Sequence, residues 1–284
     1  MDSICLHILS MTLLLSLLCS VTCFSQKVNQ FLEKMCKQIE SIDQAEFEIR
    51  SEERIGQKMV VSTVKARMNT EPFKVYLLCI NPNKGVEILY NSSEYGSKAV
   101  VNPNGFPYVN INMSPNAAKM RKDKHHSILS LGFHNGGKLI RHVIKMNKQS
   151  KSCQITDNGI KTINGIEHRV IEIYNADFGF EPITLERGLT ASQVASKYNV
   201  SEYLIREKNK LKGFGTIKSG TTLMIPNHFA KRITLFVDTN LMLPVIQEME
   251  DEQGVFERYE YSNIRVNPQF SETIFQKNCP EYNF

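Results

Sequence analysis

The densest reactive stretch of the chain is KMRKDKHH (119–126), which sets Lys119, Arg121, Lys122, Lys124, His125 and His126 within eight positions. Such a cluster suits a salt-sensitive docking patch for anionic head groups or glycan carboxylates. The plainer reading, and the one the pattern favours, is a solvated connection between helices. His125, His126 and His134 raise the question of a metal. Adjacent histidines point apart on a helix, and no carboxylate stands at ligand spacing, so no metal or other cofactor is expected. Glu52, Glu53 and Glu87 could be imagined as an acid pair for glycoside cleavage, which needs two carboxylates across a cleft. Alternating charges on the exposed face of a sheet explain them more simply. Cys153 and His168 form one conceivable nucleophile and base, although a cysteine in a strand is usually just buried. The chain contains no Gly-x-Ser-x-Gly, no His-Glu-x-x-His, no phosphate loop and no dinucleotide fingerprint. It reads as a protein without catalysis.

The elements that must position these residues follow from patterning. The chain has 284 residues, enough for one large domain or two modest ones, and its net charge of +5 is far too weak to argue for nucleic acid. From Ile8 to Phe24 nothing is charged and most residues are aliphatic. Residues 1–25 therefore read as a secretory signal peptide cut before Gln26. The absence of Lys and Arg ahead of the apolar run leaves an uncleaved anchor as the alternative. Cys19 and Cys23 lack the small preceding residue that lipid attachment prefers. Beyond the leader stand Cys36, Cys79, Cys153 and Cys279, for which three disulfide pairings are open and no zinc spacing fits.

Val28, Phe31, Leu32, Met35 and Ile39 predict an amphipathic first helix over 27–42. Strands follow in AEFEIRSEER, QKMVVSTVKARMNT, FKVYLLCIN and VEILYNS, the last two flanking an NPNKG turn, and then in KAVVNPNGFPYVNINM. Connections this short imply an antiparallel meander. Ser114 and Pro115 predict the start of a helix, and Ile128 to Ile144 continue helical spacing with an interruption at Gly136–Gly137. Strands resume in SCQITD, IKTI and EHRVIEIYNA, and again in ITLFVDT, LPVIQEMED and VFERYEYSNIRV, with Ser271 capping a short final helix. The expected architecture is α+β: a curved antiparallel half-barrel sheet with helices over one face.

Between those two groups of strands the pattern changes. ITLERG reads as a short strand, Thr190 and Gln193 as a capping box, Val194, Ala195 and Tyr198 as one helix face, Ser201 as a second cap, and KSGTTLMIP as a closing strand. Residues 183–226, with KYNVS, Ala195, Asn209, Ile217, Gly220 and LMIP, resemble a LysM module. Such modules bind N-acetylglucosamine polymers such as peptidoglycan between the loop after the first strand and the loop after the second helix. The resemblance carries that role onto Gly188, Thr190, Leu211, Lys212, Gly213, Phe214 and Ile217, with Phe214 suited to stacking on a sugar face. The usual Gly-Asp-Thr-Leu is replaced by Gly188, Leu189, Thr190 and Ala191, so a degenerate module that only packs on its host is the alternative.

The host, expected over 26–176 and 229–284 with 177–228 inserted in a hairpin loop, also has a likeness. EPFKVYLLCINPNKGVEILYNSS, SEER, FVDTNLMLPV and the ending NPQFSETIFQKNCPEYNF are similar to a bacterial envelope family of unknown function that resembles LolA-like lipoprotein carriers. The likeness implies an exported protein, periplasmic or outer-membrane associated. Its implied partners are peptidoglycan through the inserted module, or a lipid or lipoprotein in the half-barrel.

Overall fold

The computed structural model describes residues 27–106, 108–149 and 152–284; the expected leader, with Cys19 and Cys23, lies outside them. Helix α1 (27–40) leads into strands β1 (Gln44–Ile55), β2 (Lys58–Asn69), β3 (Lys74–Asn81) and β4 (Glu87–Asn91). A single turn α2 (Ser92–Tyr95) precedes β5 (Ala99–Asn102) and β6 (Ile111–Met113). Helix α3 (Phe133–Gln149) then leads to β7 (Cys153–Ile163) and β8 (Ile166–Asn175). Next come β9 (Phe180–Thr184), α4 (Ala191–Tyr198), α5 (Glu202–Lys208) and β10 (Thr222–Pro226). The chain closes with β11 (Arg232–Asp238), β12 (Leu243–Asp251) and β13 (Gly254–Val266), followed by a 3-10 turn at Glu272–Phe275.

Eleven strands form one curved, open sheet in the order β6-β5-β4-β3-β2-β1-β13-β12-β11-β8-β7, with every neighbouring pair antiparallel. Two meanders meet where β1 pairs with β13, so residues about 200 positions apart become cross-strand partners. The inner face is apolar along most of its length. Leu32, Met35 and Ile39 of α1 and Phe133, Ile140 and Ile144 of α3 bury their stripes against Phe47, Ile171, Ile173 and Leu235 of the strands. The outer face is partly covered by the C-terminal tail, where Ile274, Phe275 and Cys279 pack on Tyr76, Leu89 and Val100.

Two helical expectations change. Residues 114–127 form turns rather than a helix, because their side chains are drawn to buried partners described below. Helix α3 runs without a break through Gly136 and Gly137. Gly137 is needed for close approach: a β-carbon there would come within 3.0 Å of Ile39 Cγ2 on α1. The two predicted strands SCQITD and IKTI are one strand, β7, with a bulge between Asp157 and Ile160. The four cysteines among the described residues, Cys36, Cys79, Cys153 and Cys279, are free thiols, and burial raises Cys36 and Cys153 to about 11.

Candidate functional site

The unit between β8 and β11 is built as its sequence implies. Strands β9 and β10 pair antiparallel in a sheet of their own. Thr190 closes a full capping box with Gln193, and Asn199 ends α4 in the left-handed region at φ 55°. Val194, Ile205, Leu223 and Ile225 form a small separate core. A two-way backbone pairing of Leu189 with Ile217, at 3.2 and 2.8 Å, draws the loops 188–190 and 211–217 together.

The seven glycan-binding candidates fall on these two loops, and several of their groups are engaged internally. The Thr190 hydroxyl accepts from Gln193 N–H. Leu211 and Ile217 pack on the small core. The carbonyls of Leu211 and Gly213 accept from the Arg206 guanidinium, and the Phe214 ring lies 3.9 Å from that guanidinium and 4.5 Å from that of Arg121. Gly188 faces Thr216; Lys212 is exposed.

The same unit is clamped to its host. At its joint Asn227 exchanges hydrogen bonds with Gly179 and donates to Asp177 O, while His228 meets the Asp177 carboxylate at 2.9 Å. Helix α5 faces two ways: Ile205 belongs to the small core, whereas Tyr203 and Leu204 enter the core of the half-barrel.

Beneath α5 lies the least expected feature of the molecule. Glu53 of β1 and Glu257 of β13 are direct cross-strand partners on the inner face, with 2% and 0% of their surface exposed. Like charges set opposite each other in a sheet are destabilising, and buried ones more so. The compensation comes from the 119–126 segment. His125 N–H donates to Glu53 Oε1 at 3.0 Å, and Lys124 stands 3.6 Å from Glu53 Oε2 and also reaches Ser62. His125 Nδ1 and His126 Nε2 both donate to Glu257 Oε2, at 3.0 and 3.1 Å. The Tyr259 hydroxyl, with its single proton, donates to Glu53 Oε1 at 3.0 Å and stands 3.3 Å from Glu257 Oε2. Arg121, 2% exposed, donates to His125 O at 2.7 Å and to Glu202 of α5 at 3.1 Å.

Tyr203 of α5 lies flat on the His125 ring at 3.8 Å, and its hydroxyl accepts from Arg54, which is also ion-paired with Asp251. Burial on its own would raise the Glu257 carboxyl; the His126 and His125 imidazoles outweigh it and hold the group at about 2. Burial would likewise lower His126, but the Glu257 charge prevails and raises it.

The reading of 119–126 as a solvated connection is thus corrected for Arg121 and His125, which are buried. The reading of the glutamates as surface charges is corrected for Glu53 and for Glu87. Glu87, 1% exposed, takes the Tyr76 hydroxyl at 2.8 Å and the Asn283 backbone N–H at 2.9 Å, and so anchors the C-terminal tail. Glu52 keeps to the outer face with Arg50 and Arg258. Cys153 and His168 lie toward opposite ends of the β7–β8 hairpin, opposite Asn175 and Lys161 respectively, and do not meet. Among the described residues no group of three His, Cys, Asp or Glu is placed to hold a metal.

The apolar part of the inner face is roofed by α1 and α3. Their side-chain polar bonds join the two helices to each other, through Arg141 with Glu33 and Glu40 and through Cys36 with Gly137 O, or reach Cys153 just beyond α3. Apart from these bonds to Cys153, the first residue of β7, and the Phe31 ring under Arg169, they offer the strands beneath them apolar contact among the described residues. A hollow of about 430 Å³ lies at the far edge of the sheet, lined by Asn102, Asn104, Tyr108, Val109 and Phe284 rather than by the roof.

A sequence-family profile described as "Protein of unknown function (DUF1571)" matches residues 42–177. No curated protein matches. Among solved structures the chain is similar to the Mycobacterium tuberculosis lipoprotein LppX, with 10% identity, a TM-score of 0.43, and coverage of 87% of this chain and 98% of that one. It is also similar to a putative outer membrane lipoprotein-sorting protein domain from Vibrio parahaemolyticus, with 10% identity, TM-score 0.35 and coverage of 89% and 98%. A third is a LolA superfamily protein from Nitrosomonas europaea, with 11% identity, TM-score 0.32 and coverage of 87% and 96%. No helix among the described residues is long and apolar enough to cross a membrane.

Proposed function

We propose that the chain is an exported, non-catalytic carrier that takes the acyl part of a lipid or lipoprotein onto the apolar inner face of its half-barrel. The observation that carries this reading is the bonding of the roof. The polar bonds of α1 and α3 run mainly within the pair; apart from two bonds between α3 and Cys153 at the start of β7, the strands hold the pair by non-directional apolar contact. An acyl chain offers the strands the same contact, so the helix pair can lift as one body and be replaced. Proteins titled lipoprotein or lipoprotein-sorting among the similar structures accord with that partner class. Native mass spectrometry of protein extracted gently from membranes tests it, together with titration by a fluorescent long-chain fatty acid. Copurified acyl species and saturable one-to-one fluorescence enhancement are expected. A clean mass spectrum with no enhancement overturns the reading.

A second binding role belongs to the inserted unit. We read 177–228 as a LysM-like glycan binder because its two candidate loops are held side by side by the Leu189–Ile217 pairing. Retention on purified peptidoglycan, lost on Phe214→Ala, is the expected result. Equal retention of a chain lacking 177–228 sinks it.

A further inference from the structure

The protonation state of His125 can be read from its partners. Nδ1 faces Glu257 Oε2 at 3.0 Å and Nε2 faces the Arg54 carbonyl at 2.8 Å. An ionised carboxylate and a carbonyl only accept, so both ring nitrogens must carry protons for both bonds to exist. His126 differs, since its one bond, from Nε2 to the same carboxylate oxygen, is made equally by the neutral ring.

We infer that His125, as an imidazolium, is a proton-dependent latch that holds α5 of the inserted unit and the 119–126 segment against the half-barrel, and that the unit lifts when this proton is lost. The inference stands independently of what ligand the protein carries. Deprotonation to solvent turns one N–H into a lone pair aimed at an oxygen in a buried site, removes the charge that opposes Glu257, and weakens the attraction of the ring for the Tyr203 face stacked on it. The other groups on Glu257, His126 Nε2 and the Tyr259 hydroxyl, meet the same Oε2 oxygen, while Oε1 is buried and accepts no hydrogen bond from the described residues.

The charges around the latch come from every element packed there. Strand β1 gives Glu53 and Arg54, the 119–126 segment gives Arg121, Lys124 and His126, α5 gives Glu202 and Tyr203, β12 gives Asp251, and β13 gives Glu257 and Tyr259. Arg54 pairs with Asp251, Arg121 with Glu202 (Arg206 and Glu207 of α5 lying close by) and Lys124 with Glu53, which leaves Glu257 to the two imidazoles. Only the doubly protonated ring donates from both nitrogens, so seating and proton binding are coupled, and raising the pH favours the open state. Opening is therefore the response to rising pH.

The test pairs an NMR titration of the His125 ring with hydrogen exchange of the amides of 202–208, corrected for intrinsic rate, on the whole protein between pH 5 and 9. The expected result is a doubly protonated ring in the protected state and an opening constant that grows by up to about tenfold per pH unit, the slope of one proton. The midpoint of that rise matches the ring titration. His125→Gln flattens the slope, whereas His126→Gln leaves at least part of it. A ring that is neutral while α5 is protected, or α5 protection that does not change as the ring titrates, overturns the inference. Both of those readouts use the wild-type chain and stand even if the variants do not fold.

Discussion

The inner face of the sheet changes character along two adjacent strands. On β1 it runs Ala45, Phe47, Ile49, then Ser51 and Glu53; on β13, antiparallel beside it, Tyr261, Tyr259, then Glu257. The apolar part is closed by helices that touch it through hydrocarbon. The polar part is closed by turns and by α5, through directional bonds whose existence depends on charge. Two covers over one sheet thus answer to different variables: the first to anything that competes for apolar surface, the second to pH.

Breaking the apolar cover should have the largest effect. Phe133, 2% exposed, meets the rings of Phe47 and Tyr261 at 5.8 and 4.5 Å. Phe133→Ala should cost about 3–5 kcal/mol in urea unfolding. Because no titrating group is removed, the loss should be equal at pH 6 and pH 9. Glu257→Gln attacks the polar cover. It keeps the size of the side chain but removes the charge, and should cost about 1.5–3 kcal/mol at pH 6.

That loss should shrink at pH 9, since His126, raised when folded, contributes at low pH and gives up its share as pH rises through its folded value. Glu257 itself, held at about 2, contributes above the ordinary carboxylate range and fails only as pH falls toward 2. A pH-independent penalty at Glu257 would erase the distinction between the two covers. The smallest effect belongs to Arg141→Met, which cuts the exposed ion pairs between α1 and α3. At most about 1 kcal/mol is expected, vanishing in high salt. Acyl uptake by that variant, measured with the same fluorescent fatty acid, should change more than stability does, because the helices would no longer move as a pair.

Much of this was legible before any coordinates, wherever the determining contacts are local. The NPNKG hairpin between β3 and β4 and the Thr190 capping box follow from neighbours in sequence, whereas the pairing of the strands that bound the inserted unit, about forty residues apart, was expected only from the resemblance of 183–226 to a LysM module. The carboxylate pair was not, because Glu53 meets Glu257 only through a strand pairing that joins the two ends of the fold. One signal was available. The period of two that turns Phe47 and Ile49 inward continues to Ser51 and Glu53, so Glu53 had to share their face unless the strand was bulged there. What the pattern cannot supply is the identity of the cover. Arg121 and His125 look like solvated cations because their partners lie on β1, α5 and β13, and a helix predicted from Ser114 and Pro115 gives way once those partners claim its side chains. The sequence places all seven candidates on two loops but does not reveal that Arg206 and Arg121 already occupy the neighbourhood of Phe214.

The inserted unit leaves β8 and returns to β11, which are hydrogen-bonded neighbours, and the Gly179–Asn227 bonds pin both crossings at one point. Tethered at both ends, α5 cannot diffuse away from its seat when it lifts. Its local concentration stays on the order of millimolar or more, so closing again is a unimolecular event, fast and independent of how dilute the protein is.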